Sequence, residues 1–252
     1  MVRTFLVRGM LVGIVAGLLS FGFLKVFGEP QVDRAIAFET QLDEAKAAAE
    51  KAHGMHMSDE EGPELVSRPV QAGIGLFTAV IVYSAAFGGL FGLAFAFAQG
   101  RVSGSLTPQS LSALLAAIGF VAIFLVPSLK YPASPPAVGA PDTIGPRTAL
   151  YFIMIAISLA AMVGALSLKR PFAARHGELH ATLLVTACYI AVVIAAAWLL
   201  PAVNETPDAF PVAVLWKFRI VSFCAQAIMW AAFGLLFGAL TRRALTAGVK
   251  RA

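Results

Sequence analysis

Hydrophobic and polar positions fall into long blocks along this chain. Six apolar blocks run approximately over Phe5–Phe27, Val70–Ala98, Ser110–Leu129, Thr148–Leu168, Leu179–Leu200 and Val212–Leu240. A bilayer core of about 30 Å needs roughly 20 apolar residues per helix, and every block reaches that length. Hydrocarbon offers the backbone no hydrogen-bond partner, so the blocks are predicted to be helices. The expected fold class is all-α: an integral membrane six-helix bundle, one transmembrane domain over 1–252. A long acidic extracytoplasmic loop, residues 29–69, is inserted between spans one and two. The first block exceeds the roughly 7–15 residues of a secretion-signal core, and no Ala-x-Ala site follows it. It is expected to remain as a span.

Small residues interrupt the apolar blocks in patterns that predict packing. Gly9, Gly13 and Gly17 recur every fourth position in span one, which lets another backbone approach that face. Span two contains Ala85-Ala86-Phe87-Gly88-Gly89-Leu90-Phe91-Gly92, and span six contains Ala231-Ala232-Phe233-Gly234-Leu235-Leu236-Phe237-Gly238. The shared pattern is a packing device, with contact between the two helices as one way to use it. It does not occupy equivalent positions of a three-plus-three duplication.

Charge sets the orientation. Lys and Arg cluster at Arg3, Arg8, Arg101, Lys169, Arg170, Arg175, Arg242, Arg243, Lys250 and Arg251, so the positive-inside rule places both termini in the cytoplasm. The opposite side receives the 29–69 segment, the proline-rich Lys130–Arg147 loop and Pro201–Pro211. Near that side Lys25, Lys217 and Arg219 can snorkel from the helix ends. The chain is 59% hydrophobic and 13% charged, against about 25% charged for an ordinary soluble domain. Its net charge of +5 gives no footprint for nucleic acid. Cys188 and Cys224 lie in apolar runs and form no CxxC.

The 29–69 segment holds ten of the fourteen acids, against Arg34, Lys46, Lys51 and Arg68. Gln31 to His53 is rich in Ala, Glu and Lys, which predicts a surface helix. Gly54, Gly62 and Pro63 then predict a flexible stretch. Within it His53, His56, Met57, Asp59, Glu60 and Glu61 bring imidazole, thioether and carboxylate together. Imidazole with carboxylate suits a borderline divalent ion such as Co2+ or Ni2+, whereas thioether favours Cu(I). The spacing matches no closed structural site, so weak capture is expected, with Glu29, Asp142, Glu205 and Asp208 as further oxygens. The alternative is a solvated acidic loop.

No span has Asp, Glu or His near its middle, which disfavours a pump built on a buried carboxylate. Ser84, Ser112, Ser158, Cys188, Ser222, Cys224 and Gln226 are the midspan polar groups; they are expected to satisfy neighbouring helices, with lining a path as the alternative. His176 and His180 are four apart and are expected on one helix face, as interfacial residues or an exit ligand pair. No HExxH, phosphate loop, dinucleotide fingerprint or nucleophile elbow is present, and an enzyme is not expected.

Several stretches together carry a family resemblance. They are Met1–Met10, Val26-Phe27-Gly28-Glu29-Pro30, Glu64-Leu65-Val66-Ser67-Arg68, the 130–147 loop with YPASPPAVGAPDTIG, Asn204-Glu205, and Phe210-Pro211 leading to Leu215-Trp216-Lys217-Phe218-Arg219. With them the chain resembles, essentially end to end, the CbtA family of predicted cobalt transporter subunits. The resemblance implies a multi-pass protein of the bacterial cytoplasmic membrane that takes up cobalt for cobalamin synthesis. It also implies a small partner, CbtB, with one span and a histidine-rich tail. The family is usually described with five spans, where six are counted here, and its first outer loop is often richer in histidine. No tightly bound cofactor is expected; Co2+, or Ni2+, is the transported substrate. The lipid bilayer is the other partner, and a homo-oligomer stays open. Two alternatives remain: a non-transporting membrane scaffold or metal-binding partner subunit, and a permease for nickel or another metal.

Overall fold

The computed structural model describes residues 2–52, 66–102 and 106–249, and among them every regular element is helical. The helices are α1 (Val2–Phe23), α2 (Glu29–Ala52), α3 (Arg68–Val70), α4 (Leu76–Val102), α5 (Pro108–Gly119), α6 (Val126–Lys130), α7 (Ile144–His176), α8 (Glu178–Leu199), α9 (Val212–Ala232) and α10 (Gly238–Val249). π-Helical turns at Leu24–Gly28, Gln71–Gly75, Phe120–Leu125 and Phe233–Phe237 join α1 to α2, α3 to α4, α5 to α6 and α9 to α10. Six of the resulting rods are long and apolar enough to cross a membrane. Large apolar side chains such as Leu129, Trp198 and Leu199 stand on the surface, as lipid-facing residues do.

Span one does not stop at the Gly28-Glu29-Pro30 sequence. The rod continues into α2, so the acidic segment begins as helix, and the surface helix expected from Gln31 starts at Glu29. A proline inside an α-helix removes one hydrogen bond and crowds the carbonyl four residues back. Here the preceding turn is wide: the Glu29 N–H donates to Leu24 O, five residues earlier. The same arrangement precedes Pro127, where the Val126 N–H donates to Val121 O. A π turn opens room for the ring and lets the rod continue.

The helices form two compact units. The first contains residues 1–116, 134–138 and 206–252. Its centre is the antiparallel pair α1 and α4, held together through glycine. A Cβ added at Gly9 would overlap the Gly88 carbonyl oxygen, one at Gly13 the Ser84 carbonyl oxygen, and one at Gly92 the Phe5 carbonyl oxygen. Such backbone-to-backbone approach gives dispersion and Cα–H···O contact where lipid supplies no hydrophobic drive. α9 lies on α1, and Ser20 Oγ donates to Ala225 O at 3.2 Å.

The repeated AAFGxLFG pattern does bring its two helices together, through the aromatics. Phe91 stacks on Phe233 at 5.7 Å between centroids, and Phe95 meets Phe237 edge-on at 5.0 Å, with Phe5 beside both Phe95 and Phe237. The glycines serve different neighbours. Gly88 and Gly92 face α1, whereas Gly234 and Gly238 face Ala113, Ala116 and Gln109 of α5.

The second unit contains residues 117–133 and 139–205. α7 and α8 form an antiparallel hairpin around Met154, Val185 and Tyr189. Ser158 and Tyr189 hydroxyls meet at 2.8 Å in its buried middle. The midspan serines thus satisfy neighbours: Ser84 Oγ donates to Met229 Sδ at 3.5 Å and Ser112 Oγ to Phe233 O at 3.5 Å, both within the first unit.

Candidate functional site

In the first unit, α2 rises from span one and is fixed at its base. Glu29 and Asp33 are one turn apart on the same face, and both reach Arg68 at the start of α3. Arg68 Nη2 lies 2.5 Å from Glu29 Oε2 and 2.8 Å from Asp33 Oδ1. A little further along α2, Ala35 and Phe38 pack with Val138, Phe210 and Leu215. Phe38 and Phe210 meet edge-on at 5.1 Å. Below the clamp, Lys25 Nζ donates to Ala72 O at 2.9 Å, so one π turn caps a carbonyl of another. Beyond Phe38 the helix presents Glu39, Asp43, Glu44 and Lys46 to solvent. The Lys46–Asp43 pair, at 3.3 Å, is the i,i+3 contact expected of a solvated helix face.

In the second unit, Glu205 is held by two hydrogen-bond donors and one ion pair. Its Oε2 accepts the Thr143 hydroxyl at 2.7 Å and the Ala140 N–H at 2.9 Å, and Arg147 Nε stands 3.4 Å away. The Thr143 hydrogen bond, followed by the Ala140 N–H and the Arg147 charge, holds the Glu205 carboxyl below its usual range against the opposing effect of burial. Arg147 also donates to Ala140 O at 3.2 Å and fills the space beside Gly139, whose φ of +105° suits glycine. Tyr131 OH donates to Pro201 O at 2.8 Å, and burial raises the phenol's pKa. These contacts fold the proline-rich loop onto the segment that follows α8.

The candidate metal ligands divide accordingly. His53, His56, Met57, Asp59, Glu60 and Glu61 lie outside the described residues. Glu29 is bound to Arg68, and Glu205 to Thr143, Ala140 and Arg147. Asp142 is exposed in a 3-10 turn, Pro141–Thr143. Among the described residues no group of three or more His, Cys, Asp or Glu side chains comes together to hold a metal ion. Arg68 organises its contacts in the first unit, and Thr143 and Arg147 theirs in the second, yet nothing in the pattern around them announces the partners Glu29 and Glu205, which lie 39, 62 and 58 positions away in sequence.

His176 and His180 do not share one helix face. α7 ends at His176, and Gly177 takes φ +80°, outside the range of a right-handed helix, before α8 starts at Glu178. The expected i,i+4 relation is broken because only glycine adopts that conformation freely. The turn nevertheless brings both imidazoles to one groove, which is lined by Phe172, His176, His180, Ala181 and Leu184.

Comparison with curated proteins finds no match, and comparison with solved structures finds none. A family model does match: that of CbtA, described as a probable cobalt transporter subunit, over residues 2–242. Six membrane-length apolar helices agree with a multi-pass transporter component. With essentially its whole length matched, the chain belongs to the CbtA family of probable cobalt transporter subunits.

Proposed function

We propose that this chain is the membrane-embedded subunit of a cobalt uptake system in a bacterial cytoplasmic membrane, supplying Co2+ for cobalamin synthesis. The observation that carries the reading is the family match over 2–242 on a body of six membrane-length helices. Both termini face the cytoplasm in this reading, as the distribution of Lys and Arg indicates. The stretch from His53 to Glu61 then lies outside, where it follows α2. Its imidazoles and carboxylates gather divalent cations weakly in this reading. Glu29 and Glu205 are each engaged by partners within their own unit and are not counted as ligands. A subunit implies a partner, and a small single-span, histidine-rich CbtB-like protein is the one proposed.

The loop is tested by cobalt uptake as a function of concentration. His53→Ala with His56→Ala raises the Co2+ concentration for half-maximal uptake and leaves the maximal rate near that of the parent. Unchanged kinetics would remove these residues from capture.

A second reading is favoured by one sequence feature, the lack of Asp, Glu and His in the middle of every span. In it the chain is a scaffold or metal-binding partner that carries no ion itself. Cobalt flux into vesicles containing only the purified chain would exclude that reading.

A further inference from the structure

We propose that His176 and His180 form a second binding site for a divalent cation of the cobalt–nickel class, at the turn between α7 and α8. His176 closes the last turn of α7, and His180 lies in the first turn of α8. The Gly177 backbone, at φ +80° and ψ 158°, reverses the chain between them. Both side chains line an open groove of about 460 Å³ whose other walls are Phe172, Ala181 and Leu184. A groove of that size, open to solvent, has room for a hydrated ion.

The chemistry of the lining points to a metal. The two imidazoles are the only side chains in it with nitrogen or oxygen donors, and the remaining three walls are apolar. Neither imidazole has a hydrogen bond or ion pair among the described residues, so their lone pairs are available. Imidazole is a preferred ligand of borderline divalent ions. A phosphate or lipid headgroup would call for guanidinium or ammonium donors, and no Lys or Arg lines the groove.

The nearby charges set the strength. Lys169 Nζ pairs with Glu178 at 3.4 Å, which offsets one positive charge near the turn. Arg170 and Arg175 stand close in sequence and oppose a cation. Two protein ligands, open water positions and basic neighbours describe a site that binds and releases readily. This inference rests on the transport reading for its role: in the proposed orientation the turn lies on the cytoplasmic side, where an imported ion leaves.

The test uses the full chain carrying His53→Ala and His56→Ala, purified through a tag without histidine and placed in lipid nanodiscs. Co2+ is titrated, and carbethoxylation of each remaining histidine is read by mass spectrometry. The site predicts that Co2+ protects His176 and His180 with one common midpoint. His176→Gln and His180→Gln each shift the midpoint at the surviving imidazole at least about tenfold upward, since even the loss of a group that only orients a ligand costs about 10–100-fold in affinity. Both residues are exposed, so the variants keep the fold. Modification that ignores Co2+, or a midpoint unmoved in the single variants, would overturn the site. Failed cobalt uptake with intact protection would instead overturn the transport reading and leave the site standing.

Discussion

Glu205 shows what one carboxylate can organise when its donors come from elsewhere in the chain. Its partners Thr143, Ala140 and Arg147 all belong to the proline-rich loop and the start of α7. Because the two hydrogen bonds and the Arg147 charge depress its pKa, the stabilisation they give is fully present above the ordinary carboxylate value. It is lost as pH falls through the lower, folded value. The melting midpoint of the purified protein is therefore expected to drop as pH is taken below the usual carboxylate range. Glu205→Gln should lower the midpoint at neutral pH by a few degrees and flatten that dependence. A variant with the parent's pH profile would show that another group governs it. The stretches holding these residues, 130–147 and Asn204-Glu205, were already distinctive in the sequence. Their pairing was not, because no helical or strand period links positions 62 apart.

At the scale of elements, glycine decides how α1 meets α4. Gly13→Ala would place a methyl into the Ser84 carbonyl and force the helices apart. Overpacking of this kind costs about 1–3 kcal/mol. Gly22→Ala meets nothing within 4 Å in the same helix and is expected to be neutral or slightly stabilising. Unfolding of the two variants, measured side by side in bicelles, checks the contrast; equal stabilities would mean that α1 and α4 are not in this register. The spacing of Gly9, Gly13 and Gly17 made a close-packed face legible, but not which helix fills it.

The junction of α1 and α2 was less legible. Glycine followed by Glu29-Pro30 reads as a helix end by local rules, and only the wide turn over Leu24–Gly28 lets the rod continue. The base of α2 is tied by Arg68 and by the Phe38–Phe210 contact, whereas the residues beyond lie open to solvent. Hydrogen exchange should therefore be slow near Ala35 and quicken steadily toward Ala52. Arg68→Ala should speed exchange over 29–38 several-fold. Uniform exchange along α2 in the parent would contradict the clamp.

For the whole molecule, length and hydropathy carried most of the information. Six apolar blocks became six membrane-length helices because lipid leaves the backbone few alternatives. The division into two compact units was not readable, since α5 and the loops around 134–139 and 205–206 contribute to both without a break in composition. The candidate site was legible only as chemistry. His176 and His180 were visible as a pair, but their shared groove depends on the single backbone angle at Gly177. Glu29 and Glu205 looked like free oxygens, and the structure gives each an arginine.

The most direct test of the account is radioactive cobalt accumulation in cells that lack their own cobalt uptake, with and without this chain and with the small partner present in both. Accumulation that rises only when the chain is in the membrane is the predicted result. Equal accumulation in the two cultures, with the chain confirmed in the membrane, would contradict its role in cobalt transport.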